Sequence, residues 1–233
     1  WKNLKVSVGG GMAVTSAVAA LWLQKTGCPI CEGYGLSETS PSASCNPTTS
    51  TQFTGNIGVP LPSTFMKLLD DEGHEVTELG QSGEIAIKGP QVMAGYWQRP
   101  DETARSMTAD GYFKSGDIGI RDAHGFFKII DRKKDMILVS GFNVYPNDIE
   151  ETLSLCPGVL ECAAVGVPDE KTGEAVKLVI VKKDPSLTEM AVREYCKANM
   201  TGYKQPKIIE FKVELPKTAV GKILRRELRD APK

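Results

Sequence analysis

Histidine is nearly missing from this sequence. Only His74 and His124 occur in 233 residues, both in turn-like contexts, DEGHEV and DAHGFF. A Ser-His triad and a histidine-built metal site are therefore disfavoured. Long apolar runs are missing too. The longest, AVAALWL at 17–23, falls far short of the roughly 20 residues that span a bilayer, and no signal peptide precedes it, so nothing is expected to cross a membrane. Charge of one sign is also lacking: 28 basic residues face 29 acidic ones, for a net charge of −1. No global field favours nucleic acid, although the last eighteen residues are locally basic, and no nucleic-acid partner is expected. The six cysteines come without secretory features and read as buried or free thiols in a reducing, cytoplasmic compartment. CPIC at 28–31 has redox or half-zinc spacing, but no second Cys or His pair stands at ligand distance. It is read as strand residues without chemistry.

What is present points to a mixed architecture. The length suits one large domain or two small ones. The chain starts at Trp1 without an initiator methionine, and LKVSVGGG at 4–11 is already a buried-type strand feeding a glycine turn, so a fragment is expected. Apolar residues at helical spacing over 13–25 end at Gly27, a suitable C-cap, and PICEGYG follows as the next strand. The first fifty residues thus form a βαβ piece. In a parallel unit of this kind ligands sit beyond the carboxyl ends of the strands, where Gly9, Gly10 and Gly11 and the Gly33-Tyr34-Gly35 turn both lie. The stretch GYGLSETSP at 33–41 crowds glycines, a tyrosine, hydroxyl residues, an acid and a proline together. Either a strand end runs into a capped turn there, or something is bound.

From about 54 to 131 short alternating runs, FMKLLD, GEIAIKG and FFKIID, are divided by Gly, Pro and Asp turns, the pattern of an antiparallel sheet or small barrel. NPTTSTQFTG at 46–55 is hydroxyl-rich but lacks the lysine of a phosphate loop. Five consecutive charges, DRKKD at 131–135, mark a boundary near Lys134, giving domains 1–134 and 135–233. The second is a small α+β domain. MILVSGFNV predicts a hairpin, YPNDIEETLSL a helix with Pro146 in its first turn, and VLECAAVGV and AVKLVIVKK two strands. Ser186 and Glu189 form a capping-box pattern before the next helix, and KIIEFKVEL is a further strand. In PKTAVGKILRREL a glycine loop holds Lys222 ahead of a basic helix.

GGGM, GYGLSETSP, KSGDIG, DRKKDMILVSGFNVYP and PKTAVGKILRREL, in this order and spacing, resemble the core motifs of adenylate-forming enzymes, the superfamily of acyl-CoA synthetases, luciferases and peptide-synthetase adenylation domains. Within it, residues 110–134, DGYFKSGDIGIRDAHGFFKIIDRKK, resemble the signature of bacterial long-chain fatty-acid-CoA ligases. The departures are Tyr112-Phe113 in place of Trp-Leu, and Arg121 and Ala123 in place of Trp and Pro. They bear on chain-length preference rather than on the reaction. The resemblance implies the end of the large ATP- and acyl-binding domain, a βαβ piece with a barrel-like antiparallel subdomain, followed by a small mobile C-terminal domain. It implies activation of a fatty acid by ATP to an acyl-adenylate and pyrophosphate, then transfer to CoA with release of AMP.

The family pattern implies roles residue by residue. The glycines at 9–11, 33 and 35 would let backbone approach adenine and the acyl carbonyl, with Tyr34 stacking on the ring. Thr39 would contact the α-phosphate and Glu38 would hold Mg²⁺. Asp117 matches a ribose ligand and Arg132 a ribose and phosphate contact; from the residues alone they are a turn aspartate and one member of a charge run. Lys134 falls at the hinge between half-reactions. Ser140-Gly141 would line the pantetheine channel of CoA, or form a plain hairpin turn. Lys222 would reach the acyl carboxylate and α-phosphate, or be an exposed loop lysine. The family's Ser/Thr/Gly/Lys-rich phosphate loop is not in this chain, so the fragment is expected to be inactive alone. Medium-chain or aryl acyl-CoA ligases share the motifs outside 110–134, and a non-catalytic nucleotide- or CoA-binding fragment is the alternative of another class. The basic tail and an apolar substrate would suit peripheral contact with the inner membrane, and upstream residues would carry any homodimer interface.

Overall fold

The computed structural model describes residues 1–219 and 221–229. The chain divides into two units, Trp1–Ile129 and Ile130–Lys233. In the first, strand β1 (Ser7–Gly9), helix α1 (Ser16–Thr26) and strand β2 (Ile30–Gly35) form the expected βαβ piece, with β1 and β2 parallel. The helix begins after Thr15, whose hydroxyl accepts the Val18 N–H, so it starts three residues later than apolar spacing suggests. It ends where Gly27 adopts the left-handed conformation and donates its N–H to the Leu23 carbonyl. Strands β3 (Ser42–Cys45) and β4 (Val59–Pro60) extend this sheet antiparallel in the order β1-β2-β3-β4.

The second sheet of this unit holds β5 (Phe65–Leu69), β6 (Gly83–Lys88), β7 (Phe113–Arg121) and β8 (Phe127–Arg132) in sequential order. The sheet is open. Of the two patterns expected, antiparallel sheet or small barrel, the structure shows the sheet and, among the described residues, no closed barrel. Helix α2 (Pro100–Ser106), with Pro100 in its first turn, lies between β6 and β7 in sequence. Tyr34 and Ala43 from the first sheet and Met66, Leu68, Ile85, Ile87 and Phe127 from the second share one core, which fixes the βαβ rim against the antiparallel sheet.

In the second unit, β9 (Ile137–Val139) and β10 (Phe142–Val144) make the expected hairpin around Ser140-Gly141. Helix α3 (Pro146–Ser154) follows, with Pro146 at its start. Strands β11 (Val159–Asp169) and β12 (Gly173–Lys182) pair antiparallel, helix α4 (Glu189–Asn199) returns, and β13 (Ile208–Lys212) pairs parallel with β12. The cap of α4 differs from expectation. Thr188 is the N-cap, accepting the Ala191 N–H, whereas Ser186 spends its N–H and hydroxyl on Asp184 Oδ1. The turn at Asp184 consumes Ser186 before the helix can use it. Strand alternation buries both sheet faces: Ala164, Val176, Leu178 and Ile180 pack with Ile149, Leu153, Val192 and Cys196, while Ala163, Val165, Val179 and Val181 pack with Leu215 and Leu228. Leu228 belongs to the short helix α5 (Arg225–Arg229), anchored further by Lys177 Nζ donating to its carbonyl at 3.2 Å.

Candidate functional site

In the first unit β1 ends at Gly9 beside Glu32, and β2 runs on to Gly35. A Cβ added at Gly10 would lie 3.0 Å from the Gly33 carbonyl oxygen, so the two glycine turns form one rim. Gly11 continues it at φ 77°. Gly35 has a different reason to be glycine. A Cβ there would sit 1.6 Å from the Pro41 carbonyl oxygen, so the chain's own fold demands the missing side chain, and no ligand need be invoked for it.

Asp117 reaches this rim through an irregularity in β7. Glu84 pairs with Ile118 and Ala86 with Lys114, so Ile85 alone faces Ser115, Gly116 and Asp117. Gly116 takes up the bulge at φ 74°, and its N–H is held by Glu84 Oε1 at 3.0 Å. Bulges of this sort re-aim a side chain. The carboxylate of Asp117, 5% exposed, accepts the Tyr34 hydroxyl at 2.7 Å. The Tyr34 ring, which the family resemblance makes available for stacking on adenine, is 9% exposed and part of the core. What Tyr34 gives the rim is the orientation of Asp117, through a hydrogen bond to a charged group worth about 1.5–3 kcal/mol.

Glu38 and Thr39 lie on a 3-10 turn, Ser37–Thr39, directly after the rim. Thr39 does not face outward. It is 0% exposed; its hydroxyl accepts the Leu36 N–H at 2.9 Å and lies 3.1 and 2.7 Å from the Leu36 and Pro41 carbonyl oxygens. With those partners it closes the turn and has no capacity left for a phosphate, which corrects the reading of Thr39 as a phosphate contact. The exposed hydroxyl of the turn is that of Ser37, within the same quoted stretch but not singled out. The Glu38 carboxylate accepts the Tyr96 hydroxyl at 2.9 Å. Among the described residues no group of three or more His, Cys, Asp or Glu side chains could hold a metal, so a divalent cation here would rest on one carboxylate plus oxygens of a bound ligand. Mg²⁺ suits that, since it keeps several waters and takes one or two carboxylates and substrate phosphates.

The remaining expected residues fall in the second unit. Arg132 ends β8, exposed. Lys134 lies on the 3-10 turn Lys133–Asp135, and Ser140-Gly141 form the β9-β10 turn at φ 51° and 84°. Lys222 is exposed on a loop closed at its base: Lys217 and Ile223 form an antiparallel bridge, and the Thr218 N–H donates to the Lys222 carbonyl at 2.8 Å. Three residues on, Arg225 is bolted down. Its Nη2 donates to both Glu150 carboxylate oxygens at 2.8 Å and to Asn147 Oδ1 at 3.1 Å, and its Nη1 lies 3.7 Å from Asp135. Burial acts to weaken its basicity, but the Glu150 carboxylate together with Asp131 and Asp135 outweighs this and raises it. Arg229 reaches Asp135 at 3.0 Å and the Lys134 carbonyl at 3.3 Å. The basic helix after the lysine loop, read from sequence as a tail, is thus a clamp that ends on the Lys134 backbone. Asp131, pushed up by burial, accepts the Asn147 and Arg132 N–H groups nearby.

Residues 2–97 match the family model of the AMP-binding enzymes, and residues 148–222 that of the AMP-binding enzyme C-terminal domain. The chain is 56% identical over 230 residues to a long-chain-fatty-acid–CoA ligase of Escherichia coli O6:H1 (strain CFT073), covering 99% of this chain and 41% of that protein. It is 38% identical over 229 residues to a feruloyl-CoA synthase of Amycolatopsis sp, covering 97% and 46%. Among solved structures, ATP-bound MatB from Rhodopseudomonas palustris is similar with a TM-score of 0.90 at 33% identity, over 97% of this chain and 45% of that one. The chain spans under half the length of these relatives.

Proposed function

We propose, for a chain that belongs to the family of AMP-binding enzymes, that it is the C-terminal portion of a ligase activating long-chain fatty acids with ATP and transferring them to CoA. A carboxylate oxygen of the fatty acid attacks the α-phosphorus, the bond to the β-phosphate breaks, and pyrophosphate leaves. The CoA sulfur then attacks the acyl carbon and AMP leaves. The observation that carries the reading is the Tyr34–Asp117 hydrogen bond, which turns a buried acid onto a paired glycine rim as a ribose site needs. The sequence likeness to a long-chain ligase supports the acyl class.

In this reading Asp117 accepts the ribose hydroxyls, the rim of Gly9–Gly11 and Gly33 passes the adenine and acyl carbonyl, and Glu38 holds Mg²⁺. Arg132 adds a ribose and phosphate contact. Lys134 is the pivot, Ser140-Gly141 lines the path of pantetheine, and Lys222 neutralises charge building on the carboxylate and α-phosphate. The test is substrate-dependent pyrophosphate exchange into ATP, together with thioester formation, by the full-length protein. Oleate is expected to exceed hexanoate by at least about tenfold in kcat/KM, since even one methylene is worth roughly 10–200-fold in an apolar pocket. Preference for ferulate would replace the long-chain reading with the aryl one, and ATP binding without exchange would reduce it to a binding module.

The turn after the rim supplies a second test. With Thr39 sealed inside, we assign the α-phosphate contact to the Ser37 hydroxyl. Ser37→Ala is expected to slow adenylate formation about 10- to 100-fold, near the lower range for loss of one preorganised donor, with stability unchanged. Thr39→Val leaves the Leu36 N–H buried without its acceptor and should cost about 1–3 kcal/mol of stability, while folded protein keeps its turnover. Denaturant unfolding and single-turnover adenylation separate the two, and the opposite pattern would return the phosphate contact to Thr39.

A further inference from the structure

The contact between Tyr96 and Glu38 belongs to none of the sequence motifs, and it joins residues 58 positions apart. Glu38 is gripped twice by one segment. The Met93 N–H donates to its backbone carbonyl at 2.8 Å, and the Tyr96 hydroxyl donates to Oε1 at 2.9 Å. Tyr96 is itself fixed from the other side. Its N–H donates to Thr103 Oγ1 at 2.9 Å, in α2, and the Thr103 hydroxyl in turn donates to the Arg99 carbonyl at 3.0 Å. A Cβ at Gly95 would fall 2.7 Å from Thr103 Cγ2, so the segment lies hard against the start of α2.

We propose that Tyr96 is a positioning residue for a divalent cation carried by Glu38, an inference that rests on the reading of Glu38 as the Mg²⁺ residue. Glutamate is rotamer-rich and loses that freedom on binding an ion. A hydroxyl docked on Oε1 removes the freedom beforehand and directs the other oxygen to the cation. One-oxygen ligation suits Mg²⁺, which demands near-octahedral geometry and retains waters. Hydrogen bonds to ligating carboxylates are the usual means of orienting them, and their loss typically costs 10- to 100-fold in metal affinity.

The experiment compares Tyr96→Phe and Glu38→Gln in the full-length protein, with Mn²⁺ as the probe, titrated by electron paramagnetic resonance in the presence of ATP. Tyr96→Phe keeps the ring and removes only the hydroxyl. Its Mn²⁺ affinity is expected to fall about tenfold, with ATP affinity in EDTA unchanged and the thermal midpoint lowered by no more than the loss of one hydrogen bond allows, and saturating Mg²⁺ should restore its kcat. Glu38→Gln should weaken Mn²⁺ at least as much. If Glu38→Gln weakens the ion and Tyr96→Phe does not, the positioning role is wrong and Glu38 keeps its assignment. If Glu38→Gln leaves the ion in place, the Mg²⁺ reading fails and the role of Tyr96 fails with it. If Tyr96→Phe loses metal-free ATP binding or melts earlier than that loss allows, the hydroxyl holds the loop and not the carboxylate, which also overturns the proposal.

Discussion

Arg225→Ala is expected to remove about 3–5 kcal/mol of stability from the second unit, the usual cost of taking one partner from a buried ion pair. The side chains of Arg225, Glu150 and Asp135 are 16%, 17% and 12% exposed, so solvent cannot repair the loss. Truncation strands the Glu150 carboxylate, which keeps, among the described residues, the Ala164 N–H at 2.9 Å, and weakens the hold of α5 on Asp135. The measurement is the urea midpoint at constant m-value. The double variant Arg225→Met with Glu150→Leu should recover part of the loss, because it removes the stranded Glu150 carboxylate, while Asp135 keeps Arg229 at 3.0 Å. A single-variant cost below about 1 kcal/mol would place the pair with exposed salt bridges instead.

That clamp shows where the sequence is legible and where it is not. Local chemistry is readable: Gly27 stops α1, Pro146 starts α3, and near-continuous apolar runs mark β11 and β12. The motif order carries the family, and the two glycine turns do meet on one rim. Reading fails where a choice between neighbours is settled by geometry. In GYGLSETSP both Ser37 and Thr39 offer a hydroxyl, and only the tight 3-10 turn decides that Thr39 points in and Ser37 out. Ser186 and Thr188 both suit a helix cap until Asp184 claims Ser186. Contacts across long separations are silent altogether. Tyr96 meets Glu38 and Arg225 meets Glu150 without any local pattern to announce them, because pairing of that kind is a property of the packed fold.

Lys222→Ala, in the full-length protein, is expected to slow acyl-adenylate formation by roughly 10²- to 10³-fold, the effect of removing one preorganised group that stabilises developing charge. The side chain is exposed, so stability should change by no more than about 0.5 kcal/mol. The position of the ammonium depends on its surroundings. The Lys217–Ile223 bridge and the Thr218 hydrogen bonds close the loop, Leu224 donates its N–H to the Pro216 carbonyl at 2.9 Å, and Arg225 fixes the next turn. In the proposed reading, where Lys222 must arrive at the site and leave it, a compact ammonium on a flexible stem suits the task. Lys222→Arg should therefore recover little, because a planar guanidinium is a poor substitute for a point charge between two anionic groups. Thioester formation from preformed acyl-adenylate and CoA should stay within about threefold of wild type, since no pentavalent phosphorus forms in that step and the charge Lys222 would neutralise never builds. Pyrophosphate exchange and thioester formation measured separately distinguish the cases. Equal losses in both half-reactions would make Lys222 a structural or general binding lysine, and an Arg variant as active as wild type would mean that charge alone, rather than its placement by the clamped loop, is what the step requires.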